Sequence, residues 1–157
     1  MRTIFLALGV IAAVLAGGSG AIGQQQDQQV VMLSPDQMKW GDGPPAIPGA
    51  KSAVIEGNPR EAGPFTMRLF LPAGTRVPPH IHGGIEHVTV LFGTFNIGHG
   101  QKFDVEKLKA LPAGSFVVMP VGHPHFVQIR EATVVQLHGL GPWTVTYVDP
   151  ADDPTKK

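Results

Sequence analysis

The stretch "GTRVPPHIHGGIEHVTVLFG", residues 74–93, places three histidines and a glutamate within eight positions. His80 and His82 are two residues apart, and side chains at that spacing on a strand leave the same face of a sheet. Glu86 has the same parity, and the two glycines before it permit a turn that returns its carboxylate to the imidazoles. His87 has the opposite parity. The pattern therefore predicts three metal ligands from one hairpin and excludes His87.

A further ligand is expected from a neighbouring strand, and "PVGHPHFVQI", residues 120–129, offers two histidines. His125 begins the strand that follows the turn, so Val127 and Ile129 would follow it inward as an apolar face. His123 lies on the turn itself and is interpreted as a residue at the rim of the site. Neutral imidazoles with one carboxylate suit iron, manganese, nickel, cobalt, copper or zinc. The alternative is a barrel whose buried histidines serve only as hydrogen-bonding groups.

Composition limits the remaining choices. The 157 residues suit one domain, and 12 basic against 12 acidic residues leave no positive field to hold a nucleic acid. Cysteine is absent, which excludes disulfides and thiolate metal sites. With 20 glycines and 15 prolines between short apolar runs, the chain has the pattern of an all-β sandwich or barrel. The predicted strands are 51–57, 64–71, 86–92, 94–99, 114–119, 124–130, 132–138 and 143–148.

Both histidine segments resemble the two motifs of the cupin superfamily. The first, G-x5-H-x-H-x3-E-x6-G, is matched from Gly74 to Gly93 with every spacing kept. The second, G-x5-P-x-G-x2-H-x3-N, is matched from Gly114, with Ile129 in place of the asparagine. This resemblance implies a small jelly-roll (double-stranded β-helix) barrel with one divalent metal ion in its mouth. The ligands that it implies are His80, His82, Glu86 and His125.

The resemblance is compatible with three classes of function. The first is a dioxygenase-like, metal-dependent oxidoreductase that acts on a small apolar or aromatic molecule, with Glu86 as the catalytic base. The second is a metal-dependent isomerase or hydrolytic enzyme, and the third is a non-catalytic module that binds a metal or a small ligand. Gln136 and His138 share parity and would face either the pocket or the solvent. The predicted apolar wall of the pocket comprises Val90, Phe92, Met119 and Val127.

The N-terminal segment has the order of a secretory signal peptide. Arg2 precedes an apolar run and then small residues, so residues 1–23 are predicted to be removed by cleavage after Ala21 or Gly23. The mature protein is then expected in the periplasm or secreted, without stable insertion in a membrane. A homodimer is compatible with exposed barrel strands. The remaining chain divides into a flexible polar spacer and N-terminal arm (24–49), the barrel (50–148) and a loose tail (149–157).

Overall fold

The computed structural model describes residues 30–157, and this part of the chain is built mainly from short strands. The predicted signal peptide and the residues that follow it up to 29 lie outside the described residues. The strands are β1 Gly41–Asp42, β2 Lys51–Glu56, β3 Gly63–Leu71, β4 Arg76–Ile81, β5 Glu86–Phe92, β6 Thr94–His99, β7 Lys109–Pro112, β8 Phe116–Met119, β9 His125–Gln128, β10 Thr133–Gly141 and β11 Thr146–Tyr147. Short 3-10 helices occupy Pro35–Gln37, Val105–Lys107, Pro150–Asp152 and Pro154–Lys156.

The strands form two antiparallel sheets that face each other. One sheet has six strands in the order β1-β2-β3-β10-β5-β8, and the other has five in the order β11-β4-β9-β6-β7. Consecutive strands alternate between the sheets from β3 to β6 and again from β7 to β11, which is the arrangement of a jelly roll. The predicted all-β jelly-roll fold is therefore confirmed.

The core fills the space between the two sheets. Along β3 every second side chain is buried (Phe65, Met67, Leu69 and Leu71), which is the period of a strand with one apolar face. On the opposite sheet, Val127 and Ile97 pair in register and are both buried. These side chains form the apolar core of the barrel.

Gly93 ends the first motif because no other residue fits its position. Its φ is +72°, and a β-carbon there would lie 2.4 Å from the carbonyl oxygen of Ala132. Gly114, which begins the second motif, also has a positive φ, of +88°, but a β-carbon would meet no atom within 4 Å. Backbone conformation explains both glycines, and close packing adds to the requirement only at Gly93.

The structure differs from the sequence prediction in four places. β4 and β7 were not among the predicted strands, although β4 carries His80. The arm contributes a short edge strand, since Gly41 pairs with Ser52 of β2. The tail, predicted to be loose, forms two short 3-10 helices whose first turns are capped by the side chains of Asp149 and Asp153. No helix among residues 30–157 is long and apolar enough to cross a membrane.

The expected inward face of β5 ends before Phe92. Val90 pairs with Val135 of β10, but Phe92 pairs with Val134, so Leu91 is an extra residue in the ladder. Such a bulge reverses the alternation of side chains beyond it. Val90 is accordingly 1% exposed and Phe92 62% exposed. The prediction that Phe92 lines the pocket is wrong.

We expect Gly93→Ala to lower the free energy of unfolding by about 3 kcal/mol, because it adds a backbone clash to the strain of a left-handed alanine. Gly114→Ala is the matched control and should cost only about 1 kcal/mol, since it carries the strain without the clash. Urea unfolding measures both. Equal losses would contradict the assignment of a packing role to Gly93.

Candidate metal centre

Four polar side chains meet at the mouth of the barrel. His80 lies near the end of β4 and pairs in register with His125 at the start of β9. His82 follows β4 directly, and Glu86 begins β5 in the opposite sheet. The residues between His82 and Glu86 turn the chain from one sheet to the other. The structure thus brings together all four residues that the motifs imply as ligands.

The four side chains are buried and close. One ring nitrogen from each of His80, His82 and His125 lies within 4.8 Å of the others. An oxygen of Glu86, Oε2, is 3.3 Å from Nε2 of His82 and 3.9 Å from Nε2 of His125. All four residues are at most 6% exposed. A group of this size and composition can surround a single ion.

Backbone carbonyls fix the orientation of all three rings. Nδ1 of His80 is 2.8 Å from the oxygen of Pro78, Nδ1 of His82 is 2.7 Å from that of Thr144, and Nδ1 of His125 is 3.0 Å from that of His123. A carbonyl only accepts, so each Nδ1 carries a proton, and Nε2 is the nitrogen of each ring that is left to bind an ion. Metal-binding histidines are usually held in this way.

The environment of His82 Nε2 indicates whether the residues of this site suit a metal ion. The atom is buried and has no hydrogen-bond partner within residues 30–157. A buried polar atom without a partner costs free energy, and a cation between the three rings would remove that cost. Three imidazole nitrogens and one carboxylate are also a donor set that first-row divalent metals accept. The residues present therefore fit a divalent transition metal.

The charges of the site follow from burial and from the neighbours. Burial lowers the pKa of His80 to about 3, with His125 and His82 adding to the shift. Burial also lowers the pKa of His125, to about 4. Burial alone would raise the pKa of Glu86, but contact with His82 outweighs it and the net direction is downward. At neutral pH the site thus offers two neutral imidazoles and an anionic carboxylate.

His82 behaves differently because it faces the carboxylate. Burial alone would lower its pKa, but the adjacent Glu86 outweighs burial and the net direction is upward. In the absence of a cation the Glu86 carboxylate therefore favours a proton on His82. A metal ion and that proton compete for the same nitrogen, so metal binding here releases protons.

Trp143 completes the site, and the sequence patterns did not identify it as a functional residue. Its Nε1 donates a hydrogen bond to Oε1 of Glu86 at 2.9 Å. Its ring stacks on that of His82, with centroids 5.2 Å apart and planes 21° from parallel. Trp143 belongs to neither motif, and its only signal in the sequence is an aromatic residue with a polar atom near a strand end.

The space beside the three histidines, called here the histidine cavity, is small. It has a volume of about 40 Å³, which is enough for a few water molecules. Val127 lines it, as predicted for the apolar wall, whereas Val90 and Met119 are buried elsewhere in the core. The arm also contributes, since Ile47 lines the cavity.

Gln136 and His138 lie outside the barrel. Val135 and Leu137 of β10 point into the core, so the alternate residues point outward. Gln136 accepts a hydrogen bond from Nε of Arg68 at 3.2 Å. His138 stacks on His87, with centroids 4.8 Å apart. The structure therefore favours the solvent-facing alternative for Gln136 and His138.

His123 lies in the turn before β9, outside the buried cluster. It is exposed, and its Nε2 is 3.1 Å from Nδ1 of His99. Its backbone oxygen is the acceptor that orients His125. His123 therefore supports the site through its main chain, and its ring points to a second surface histidine.

A two-sheet jelly roll with this cluster in its mouth has the architecture of a cupin. The sequence model of the ChrR cupin-like domain family matches residues 28–144, and the chain belongs to this family. A search of curated proteins finds no match.

Solved structures with the same fold are distant in sequence. The polyketide cyclase RemF from Streptomyces resistomycificus is 17% identical, with a TM-score of 0.64 over 82% of this chain and 92% of its own. An acetylacetone dioxygenase from Acinetobacter johnsonii is 20% identical, with a TM-score of 0.60 over 80% of each chain. A putative acetylacetone dioxygenase from Methylibium petroleiphilum is also 20% identical, with a TM-score of 0.62 over 83% of this chain and 88% of its own. At these identities the likeness concerns the fold.

Because Val90 is buried and Phe92 is exposed, truncation of the smaller side chain should destabilise the protein more than truncation of the larger one. Val90→Ala should lower the free energy of unfolding by about 2 kcal/mol because it leaves a void in the core. Phe92→Ala removes a larger side chain but should cost less than about 0.5 kcal/mol, since that ring lies in solvent. Chemical denaturation measures both variants. A larger loss for Phe92→Ala would contradict the bulge at Leu91.

Proposed function

We propose that this protein is a metal-dependent cupin enzyme that oxidises a small, mainly apolar molecule with O2. The observation that carries the proposal is the orientation of the three imidazoles, because each Nδ1 is bonded to a carbonyl and each Nε2 is the atom left to bind one ion. Three histidines with a single carboxylate neutralise only part of the charge of a divalent ion and leave ligand positions open. Bound there, such an ion supplies Lewis acidity and, for a redox-active metal, electron transfer to O2.

Glu86 is the group that holds and moves a proton in this proposal. Trp143 restrains one of its oxygens, while the other faces His82 and His125. Oε2, the oxygen that Trp143 does not bond, can accept a proton from a carbon acid or enol that enters the site. The downward direction of its pKa keeps the carboxylate ionised at neutral pH, as a general base must be. Glu86 thus combines a ligand role with the catalytic role expected for it.

The surroundings of the site favour an apolar substrate. Leu69, Leu71, Val77 and Phe95 line the histidine cavity together with the ligands. These side chains exclude water and strengthen electrostatic interactions at the ion. The fold is shared with an acetylacetone dioxygenase and a putative acetylacetone dioxygenase, and acetylacetone is a small enolisable diketone. This likeness supports the substrate class without identifying the substrate.

A metal-dependent cyclisation or isomerisation without O2 is the second candidate. The polyketide cyclase RemF has the same fold at a higher TM-score than the dioxygenases. Such a reaction needs the ion only to polarise a carbonyl and Glu86 to shuttle a proton. Oxygen consumption distinguishes it from the first candidate.

Export is part of the proposal. A chain that begins with a signal peptide would fold and bind its metal outside the cytoplasm. Expression of the full chain in a bacterium with an outer membrane should place a form beginning near residue 22 or 24 in the periplasm. N-terminal sequencing of the periplasmic fraction checks this, and an intact N-terminus on a cytoplasmic protein would contradict it.

The double variant His82→Ala/His125→Ala should lose the metal. We expect the parent to carry about one divalent ion per chain, measured by mass spectrometry of the purified protein. A ligand present at about one hundred times its Kd stabilises a protein by about 2.7 kcal/mol, so zinc should raise the Tm of the metal-free parent by about 10 °C. His87→Ala/His138→Ala is the matched control, because it removes two histidines from the outer face and should keep both metal content and stabilisation.

Oxygen uptake tests the reaction itself. The iron(II)-loaded parent should consume O2 with acetylacetone or a related enol and without added reductant. Glu86→Gln should lower the rate at least a hundredfold, because the amide cannot accept the proton. An oxygen electrode measures the rate, and product analysis under argon tests cyclisation. Metal bound at full occupancy with neither activity against a panel of aromatic and enol compounds would favour a binding module.

A further inference from the structure

A second and much larger space adjoins the histidine cavity. This space, called here the arm cleft, has a volume of about 490 Å³ and lies against the inner face of the six-stranded sheet. It is bounded by the arm at residues 42–46, by Val54 and Met67 of β2 and β3, by the turn between these strands, and by the segment that begins at Trp143.

Trp143 separates the two spaces, because it lines both the arm cleft and the histidine cavity. Two residues of β3 also show that the two spaces are adjacent. Met67 lines the arm cleft and Leu69, two residues further on the same face, lines the histidine cavity. The arm cleft is thus a continuation of the barrel interior beyond one tryptophan.

The two volumes differ in what they can hold. Small-molecule sites span about 300–1,000 Å³, and the arm cleft lies within that range whereas the histidine cavity, at about 40 Å³, does not. A substrate therefore cannot occupy the histidine cavity alone. It needs the arm cleft, and it reaches the histidines only when Trp143 changes position.

We propose that the arm cleft holds the substrate and that Trp143 is the movable partition that admits it to the histidines. This deepens the proposed function and rests on it for the identity of the site as a substrate site. Trp143 lies between β10 and β11, and its side chain bonds Glu86, stacks on His82 and packs, partly buried, against the edge of the core. The same movement would release Oε1 of Glu86, so entry of the substrate and freeing of the carboxylate occur together.

The lining of the arm cleft defines the class of ligand. Val54 is on the inner face yet 50% exposed, so the cleft presents apolar surface to solvent. Two charged residues line the cleft, Asp42 and Arg60, and their opposite charges cancel. Ser52 and Asn58 can bond a carbonyl or hydroxyl group. These features fit a flat, uncharged molecule that carries a carbonyl or hydroxyl group.

Calorimetric titration of the metal-free protein with 2-naphthol tests the arm cleft. Val54→Trp fills the cleft and should weaken binding at least tenfold. Val118→Trp, at an exposed valine on the outer face, is the matched control and should bind as the parent does. Equal affinities for the parent and Val54→Trp, or no binding to either, would contradict the proposal that the arm cleft holds the substrate. Tighter binding of naphthalene-2-sulfonate than of 2-naphthol would overturn the ligand class.

Modification of the metal-free protein by diethyl pyrocarbonate, mapped by peptide mass spectrometry, tests the partition. Trp143→Ala should raise the modification rate of His82 at least tenfold, while Trp143→Phe keeps a ring and stays near the parent. His87 and His138 report general loosening. A rise at His82 no greater than at these two would overturn the role of Trp143. Both measurements use metal-free protein, so their outcomes do not depend on whether the site binds a metal. A failure of the metal proposal would appear separately, in the metal content of the purified protein.

Discussion

The three bonds between imidazole Nδ1 groups and backbone carbonyls determine what this site can do. Each fixes the tautomer of one histidine and turns its Nε2 lone pair toward the other two. Two of the acceptors, Pro78 and His123, lie two residues before the histidine that they orient, so the local chain path suffices there. The third, Thr144, comes from a distant segment. The geometry of His82 therefore depends on the complete barrel, including the connection that carries Trp143.

Much of the site follows from residue spacing. The two-residue interval between His80 and His82 and the turn before Glu86 predict a shared face, and the structure brings these residues together with His125. What spacing could not predict is the bulge at Leu91, because an inserted residue changes parity without any signature in the sequence. Phe92 was misplaced for that reason.

Two other features could not be predicted from the sequence, namely the strand β4 and the position of Trp143. Pro78 and Pro79 lack an amide hydrogen, and their presence argues against a strand. The structure accommodates them within β4 at a register shift against β9, between Val77 and His80. Trp143 could not be placed from the sequence because its contacts with Glu86 and His82 span about sixty residues and depend on the closed barrel.

The arm is tied to the barrel by Tyr147, whose hydroxyl donates a hydrogen bond to the carbonyl of Ala46. Burial, with Asp153 and Asp152 adding to it, raises the pKa of this phenol to about 12, so the donor keeps its proton under ordinary conditions. The walls of the arm cleft come from the arm, from β2 and β3 with the turn between them, and from the β10–β11 connection, all outside the two motifs. If the arm cleft holds the substrate, substitutions in these segments would change which compound is accepted and would leave the four clustered residues of the motifs unaltered.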